Sequence, residues 1–362
     1  MHISVKAWVV AGFTGAMLSM AAAAAPAMAA SVTQSNLTSD GAVAATFTDK
    51  NLVNGWGMAY SPTGNWWLSD NGTGLTTVYD GTGKLSPAAK PLVVTIPPPA
   101  GQTGHSSPTG QVYNPNKSFN ITSGGKTGAA TFIFVTEDGT ISGWNTTVNA
   151  TTAITTVDNS AGGTGAVYKG VALSNSGGTP SLLVANFRSG MIEVYNSSWV
   201  KTNSFRDTAL PANYSPFNVA VLNGQIFVAY AVAATGGFDD VPGAGHGALE
   251  LIDITGKVLG RLKGGVLNSP WGMAIAPSSW GTYAGSLLVA NFGDGRISGI
   301  NLTNGHLIGQ LPDSSAKPIS IDGLWGIMPG NGSGAGATTD MYFTAGPNGE
   351  ANGLFGKLTF NP

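Results

Sequence analysis

The sequence predicts an all-β protein folded as a six-bladed β-propeller. A Trp-Gly motif occurs at Trp56, Trp271 and Trp325, each time shortly before a run of apolar and aromatic residues typical of a strand. Weaker copies of the same repeat fill the gaps between these three. The six repeats start at Trp56, Gly110, Gly170, Phe217, Trp271 and Trp325. A period of roughly 50 residues, with short strands and Gly-rich turns, is typical of propeller blades.

Each repeat contains the strands that a blade requires. The motif begins the first strand, and a Gly/Asn/Asp turn separates the second strand from the third, as expected for tight hairpins. Second strands are predicted at residues 66–71, 131–136, 182–187, 225–230, 287–292 and 341–345. Third strands are predicted at residues 75–79, 140–144, 191–195, 248–252, 296–300 and 353–359. A more polar fourth strand follows in most repeats, for example at 91–96 and 258–262.

The sixth repeat contains only three strands before the sequence ends at Pro362. An incomplete blade would leave an open strand edge, and open edges promote aggregation. We therefore predict that residues 31–38 supply the fourth strand and close the ring. Residues 30–362 would then form one propeller domain.

The first 29 residues have the pattern of a secretory signal peptide. Lys6 precedes an apolar run at 7–20, and Ala27-Met28-Ala29 is a small-residue cleavage site. We therefore expect an exported protein, either secreted or periplasmic. No later run approaches the ~18 apolar residues that a membrane span requires. The mature chain is thus predicted to lack a transmembrane segment.

Composition excludes several classes of protein. Charged residues make up 9% of the chain and the net charge is −2, so no basic excess is available for nucleic-acid phosphates. The chain contains no cysteine, which excludes disulfides and thiolate metal sites. We expect a monomer that does not bind nucleic acid.

Acidic residues concentrate in the loops between second and third strands, which open on one face of a propeller. Seven of the 18 acids are placed there: Asp70, Glu137, Asp138, Asp239, Asp240, Asp294 and Glu350. Carboxylates with Asn and backbone oxygens suit hard cations such as Ca²⁺. The sequence therefore predicts a candidate metal site made from Asp70, Asp239, Asp240, Asp294 and Glu350. The alternative is turn chemistry, because Asp-Gly and Asn-Gly are common in tight turns.

Aromatic, basic and imidazole side chains are predicted near the same face. Trp56, Trp271 and Trp325 begin first strands, where they could stack on a sugar or aromatic ligand, or simply pack one blade against the next. The remaining ligand-binding candidates lie in loops: Arg188, Arg296, His105 and His246. His246 is close in sequence to Asp239 and Asp240, which suggests a metal or acid–base site, although solvated loop histidines are the simpler interpretation.

The repeat motifs also resemble a known family. The segments 51–57, 69–74, 288–295, 322–326 and 353–356 are similar to those of uncharacterised secreted bacterial proteins that resemble six-bladed NHL-repeat propellers. The resemblance covers residues 31–361 and implies the fold, but it supplies no catalytic residues. NHL-like relatives include ligand- and protein-binding modules and some lyases and lactonases.

We predict a non-catalytic module that binds a small molecule, a glycan or a protein on one loop face around the channel. The chain has no Gly-x-Ser-x-Gly or His-Glu-x-x-His motif. Two alternatives stay open: a metal-dependent enzyme of the lactonase or lyase type, and a structural component of an envelope or matrix. Fold alone does not distinguish them.

Overall fold

The computed structural model describes residues 30–263 and 265–362, and their secondary structure is almost entirely β. In chain order the strands are β1 (Ser31–Ser39), β2 (Phe47–Thr48), β3 (Gly55–Ala59), β4 (Trp66–Asp70), β5 (Leu75–Tyr79), β6 (Val93–Thr95), β7 (Pro108–Tyr113), β8 (Asn120–Ser123), β9 (Lys126–Ala129), β10 (Phe132–Thr136), β11 (Thr140–Trp144), β12 (Ile154–Asp158), β13 (Tyr168–Ser174), β14 (Ser181–Asn186), β15 (Met191–Asn196), β16 (Lys201–Phe205), β17 (Tyr214–Leu222), β18 (Gln225–Val232), β19 (Gly247–Ile252), β20 (Val258–Lys263), β21 (Pro270–Ile275), β22 (Leu287–Asn291), β23 (Ile297–Ile300), β24 (Leu307–Gln310), β25 (Leu324–Pro329), β26 (Asp340–Ala345) and β27 (Leu354–Asn361). Single-turn 3-10 helices lie at Ala161–Gly163, Ser176–Gly178 and Gly281–Tyr283.

These strands form the six predicted blades. From the inside outward, blades 1 to 5 contain β3-β4-β5-β6, β7-β10-β11-β12, β13-β14-β15-β16, β17-β18-β19-β20 and β21-β22-β23-β24. Blade 6 contains β25-β26-β27 followed by β1 and β2. A separate hairpin, β8-β9, is inserted in blade 2 between β7 and β10. The repeat pattern did not predict this hairpin, because it belongs to one blade only.

The N-terminal strand closes the ring, as predicted. β1 pairs antiparallel with β27 from Ser31–Asn361 to Ser39–Leu354, and it supplies the strand that the sixth repeat lacks. The short strand β2 then pairs in parallel with β1 at the edge of the blade. The outer edge of β27 is thus covered by the other end of the chain.

The hydrophobic core is divided among the blade interfaces. Each of six buried clusters joins one blade to the next, and the cluster between blades 6 and 1 contains Trp66, Tyr79, Tyr342 and Phe355. A seventh cluster lies at the hub and is built from aromatic side chains of several blades. Every blade, including the last, is therefore held by apolar packing against both of its neighbours.

A β-bulge occurs at the same point in the first strand of every blade. The register shifts there, and the inner strand has one residue without a direct partner in blades 3, 4 and 5 and two such residues in blades 1, 2 and 6. The first or only unpaired residue of each bulge is Trp56, Thr109, Lys169, Phe217, Trp271 or Trp325. Bulges redirect side chains, and all of these except Thr109 contact one another near the axis.

Two predictions fall outside what this fold tests. The predicted signal peptide, residues 1–29, lies outside the described residues and stays a prediction, as does export. No helix within the described part of the chain is long and apolar enough to cross a bilayer.

Candidate binding site at the propeller hub

A layer of stacked aromatic rings fills the hub. The ring centroids of Trp56 and Trp325 are 3.6 Å apart with an interplanar angle of 15°, and Phe292 stacks on Trp325 at 3.9 Å. Trp271 meets both tryptophans edge-on, at 6.3 and 6.0 Å. Stacked and edge-on rings are the favoured arrangements of aromatic pairs.

This layer changes the interpretation of the three tryptophans. Trp56, Trp271 and Trp325 are only 1%, 5% and 1% exposed, so they offer almost no surface to a ligand. Their position matches the packing alternative rather than a stacking platform, because each ring is covered by rings from other blades. They form the floor beneath the mouth of the hub.

Lys169 lies on this floor with its ammonium group enclosed. Its Nζ is 5.0 Å from the ring centroid of Trp56, 5.8 Å from that of Phe187 and 5.3 Å from that of Phe238. The side chain is nearly buried and forms an ion pair with Glu137. Aromatic faces and a carboxylate both stabilise an ammonium group, and more strongly when water is excluded.

The sequence analysis missed Lys169. The signal was present: Lys169-Gly170 occupies the position of Trp-Gly in the third repeat. A lysine at a position that carries a large aromatic residue in four of the six repeats is unusual, because a buried ammonium group needs a specific partner.

A chain of hydrogen bonds extends from Lys169 around the mouth. Glu137 accepts a hydrogen bond from Asn71 Nδ2 at 2.9 Å, and Asn71 accepts one from Asn54 Nδ2 at 3.3 Å. Asn54 Nδ2 also donates to Glu350 Oε2 at 2.7 Å. Loops of blades 1, 2 and 6 are thereby joined by polar contacts to the lysine of blade 3.

Asn54 is held in place by its backbone and by the floor. Its φ of 50° lies in the left-handed region, which asparagine tolerates better than most residues. Its Oδ1 accepts a hydrogen bond from Trp325 Nε1 at 2.9 Å. The aromatic layer and the polar mouth are thus coupled through one side chain.

The mouth carries more negative than positive charge. Glu137, Asp240 and Glu350 come from blades 2, 4 and 6, and Lys169 is the ammonium group among them. Burial raises the pKa of Glu350, and the charge of Glu137 raises it further. Burial also raises the pKa of Asp240, whose Oδ2 has no hydrogen-bond partner among the described residues. The nearby hydroxyl of Ser269 and the charge of Lys169 oppose this rise in the pKa.

Arg188 and Phe238 form one wall of this mouth. Arg188 donates hydrogen bonds to the carbonyl oxygens of Gly163, Gly165 and Gly236, and its Cζ lies 5.9 Å from the ring of Phe238. Phe238 is 43% exposed while its ring also faces Lys169. Arg188 therefore fixes the loop that carries the exposed ring.

The other predicted candidates do not join this cluster. Asp239 and Arg296 are exposed, and Asp294 accepts a hydrogen bond from the backbone N–H of Arg296, as turn residues do. His246 Nδ1 lies 2.8 Å from the carbonyl oxygen of Val241 in its own loop.

His105 lies in a different place on the same face. It lines a cavity of about 240 Å³ together with Asp138 and Ser160. Burial raises the pKa of Asp138, and the nearby His105 opposes this effect. Among the described residues, no hydrogen bond or shared cavity connects His105 with His246.

The predicted metal ligands are not assembled around one point. Within residues 30–263 and 265–362, no group of three or more His, Asp or Glu side chains is arranged to hold a metal ion. Of the predicted ligands, Asp240 and Glu350 reach the hub, whereas Asp239 and Asp294 do not. The Ca²⁺ site therefore stays a prediction.

Asp70 requires a correction. It was predicted in a loop at the mouth, but it is the last residue of β4, is paired with Leu75 and is 0% exposed. Neither of its carboxylate oxygens has a hydrogen-bond partner among the described residues. Burial, with a contribution from the charge of Asp49, raises its pKa well above the usual range. The predicted strand 66–71 already contained Asp70, and its pairing in β4 keeps the side chain away from the mouth.

Asp70→Asn is expected to stabilise the protein at neutral pH. The pKa of Asp70 is higher in the folded protein than in the unfolded chain, where it is about 4. Its contribution to the stability of the fold is therefore fully present below about pH 4 and is lost as the pH rises through the folded-state pKa. A neutral amide removes that loss, so we expect a gain of about 1–3 kcal/mol at pH 7 and little gain at pH 3, measured by denaturant unfolding. Asp294→Asn, in a half-buried turn, is the control. Equal stability of Asp70→Asn and the parent at pH 7 would contradict the assignment.

Comparison with known proteins identifies relatives of this chain. No protein-family model matches the chain. An uncharacterized protein of Acanthamoeba polyphaga mimivirus, R648, is 30% identical over 323 residues, which cover 87% of this chain and 76% of the viral protein. The chain belongs to the family of R648. A second mimivirus protein, L690, is 28% identical over 326 residues, covering 87% of this chain and 82% of its own length.

Solved structures share the fold at low sequence identity. Virginiamycin B lyase from Staphylococcus aureus has a TM-score of 0.54 and 15% identity, covering 91% of this chain and 99% of the lyase. A structural genomics protein of unknown function from Bacteroides thetaiotaomicron has a TM-score of 0.55 and 11% identity, covering 92% and 76% of the two chains. These similarities support the six-bladed propeller and nothing finer. The bacterial, secreted character expected from the sequence stays a prediction, because the relatives that define the family are viral.

Proposed function

We propose that the protein is a binding module whose ligand occupies the mouth above Lys169. The observation that carries this proposal is the exposed ring of Phe238 two residues before the half-buried carboxylate of Asp240. An aromatic face beside a carboxylate suits a ligand with an apolar face and hydroxyl donors. A neutral glycan has both, and it would meet this protein outside the cell if the predicted export occurs.

The rest of the mouth supports this choice. Lys169 is already paired with Glu137 and enclosed by rings, so it is not free to recruit an anion. The excess of carboxylates also disfavours anionic ligands, because like charges repel each other. Asn54, Asn71 and Glu350 are connected by hydrogen bonds before any ligand arrives, and such preorganisation lowers the entropic cost of binding.

The test begins with a glycan array, probed at pH 7 and pH 4.5, followed by titration calorimetry of any hit. Phe238→Ala and Asp240→Asn are each expected to weaken binding at least ~10-fold, since each removes a contact worth about 1.4 kcal/mol or more. Asp239→Asn, an exposed neighbour, is the matched control and should bind like the parent. The same titration with Ca²⁺ and with a chelator tests the predicted cation.

Two results would count against the proposal. One is an array without signal at both pH values. The other is a hit whose affinity is unchanged by both Phe238→Ala and Asp240→Asn, because the ligand would then bind elsewhere. Thermal melts of each variant show that the propeller is intact.

A further inference from the structure

A second site lies on the opposite side of the aromatic floor and does not depend on the function proposed for the mouth. An inner cavity of about 160 Å³ reaches Trp271, and an outer cavity of about 390 Å³ continues toward the turns between first and second strands. Both are lined by Gln111, Met273 and Met328. Together they form an axial channel that ends at the floor and opens on the face away from Lys169.

The walls of this channel are apolar. Val112, Val221 and Met328 line it and are only half-buried, although they belong to innermost strands. Met58 and Met273, each two residues after a floor tryptophan, add flexible apolar side chains that adapt to a ligand. Among the described residues, no charged side chain lines either cavity. A concave apolar site of this size is suited to a small molecule.

Three amide side chains interrupt the apolar lining: Gln111, Asn218 and, at the outer opening, the exposed Asn223. Asn218 is already paired, because its Nδ2 donates to the carbonyl oxygen of Trp271 at 2.8 Å and its Oδ1 accepts from the backbone N–H of Val219 at 2.8 Å.

Gln111 Nε2 donates to the carbonyl oxygens of Gly57 at 2.9 Å and Trp67 at 2.8 Å, which fixes the orientation of the amide. Gln111 is 6% exposed, and its Oε1 has no partner among the described residues. A buried acceptor without a donor is costly, and a ligand that supplies the donor removes that cost.

We propose that this channel binds a neutral, elongated aliphatic alcohol. Its hydroxyl donates to Gln111 Oε1, and its chain lies along Met273 and Met328 toward the opening. A carboxylate would bring a charge and no proton to an uncharged site that offers an acceptor. A plain hydrocarbon would leave Gln111 Oε1 unpaired. The hydroxyl is therefore the group that the site selects.

Titration calorimetry with 1-octanol as the probe, and with octanoate as the charged analogue, tests this inference on the full mature chain. We expect saturable 1:1 binding of 1-octanol and at least ~10-fold weaker binding of octanoate. Val221→Phe places a ring in the channel while leaving Gln111 in position, and it is expected to abolish binding. Gln111→Met is expected to weaken 1-octanol binding at least ~10-fold.

Two controls separate this site from other apolar surfaces. Leu259 is 57% exposed beside a cleft between blades 4 and 5, so Leu259→Ser should bind 1-octanol like the parent. Phe238→Ala at the mouth should also leave 1-octanol binding unchanged. Absence of saturable heat, equal affinity for octanoate, or full binding by a folded Val221→Phe variant would overturn the proposal. Since Gln111→Met removes hydrogen bonds between two blades, Val221→Phe carries the test if Gln111→Met fails to fold.

Discussion

Deletion of residues 31–37 is expected to lower the melting temperature by about 10 °C or more. The deleted segment pairs with β27 along almost its whole length. Val32 packs in the core between blades 5 and 6, and Leu37 packs in the core between blades 6 and 1. Each buried aliphatic side chain contributes about 1.5–3 kcal/mol, and each hydrogen bond contributes roughly 1 kcal/mol. A loss of at least 5 kcal/mol corresponds to about 10 °C at roughly 2 °C per kcal/mol.

Differential scanning calorimetry of the deletion variant measures this effect. Thr33→Ala with Gln34→Ala is the control, because both side chains point to solvent while the strand remains. A synthetic peptide of residues 31–39 added to the deletion variant should restore part of the stability. An unchanged melt would mean that β1 is not needed to close the ring.

Lys169→Met is expected to lower the stability by about 3–5 kcal/mol, the second large effect. Removing one partner of a buried ion pair leaves the other charge uncompensated, which is strongly destabilising. The Glu137 side chain is only 10% exposed, so water cannot fully solvate it after the change. Adding Glu137→Gln removes the orphan charge and should recover much of the loss. The measurement is a double-mutant cycle of free energies of unfolding.

A second ion pair of the protein provides the matched control. Lys201 pairs with Glu193 at 3.3 Å, but the Lys201 side chain is 48% exposed. Exposed pairs contribute at most about 1 kcal/mol, so Lys201→Met should change stability little. If Lys169→Met costs no more than Lys201→Met, the enclosed ammonium group is not important for stability, and the hub is less organised than its contacts indicate.

The fold could be predicted because its information is repeated. Turn residues and strand runs return in every blade and the Trp-Gly motif returns in three, so a weak copy of the repeat can be recognised from the stronger ones. The missing strand of the sixth repeat followed from the same pattern, because closure requires it. The hairpin β8-β9 could not be found in this way, since it occurs once.

The site was harder to predict from the sequence, because its residues are those that differ from the repeat pattern. Lys169 gains its surroundings from Trp56, Glu137 and Phe238, which belong to three other blades. Such long-range contacts have no local signature. Asp70 shows the opposite error: its Asp-Asn-Gly context indicates a turn, yet the end of a strand buries it. Glu350 and Asp240 were predicted correctly to lie near the hub because both belong to loops between second and third strands, which open on one face of the propeller.

The pairing of Ser31 with Asn361 has a consequence for biosynthesis. The strand β1 cannot pair with β27 until the chain has been translated as far as Asn361. In the nascent protein β1 therefore stays unpaired while the first five blades are synthesised, and the ring closes only when β1 pairs with β27. Contacts between such distant positions slow folding, so the growing chain passes through a prolonged stage in which it is vulnerable to mispairing with other chains.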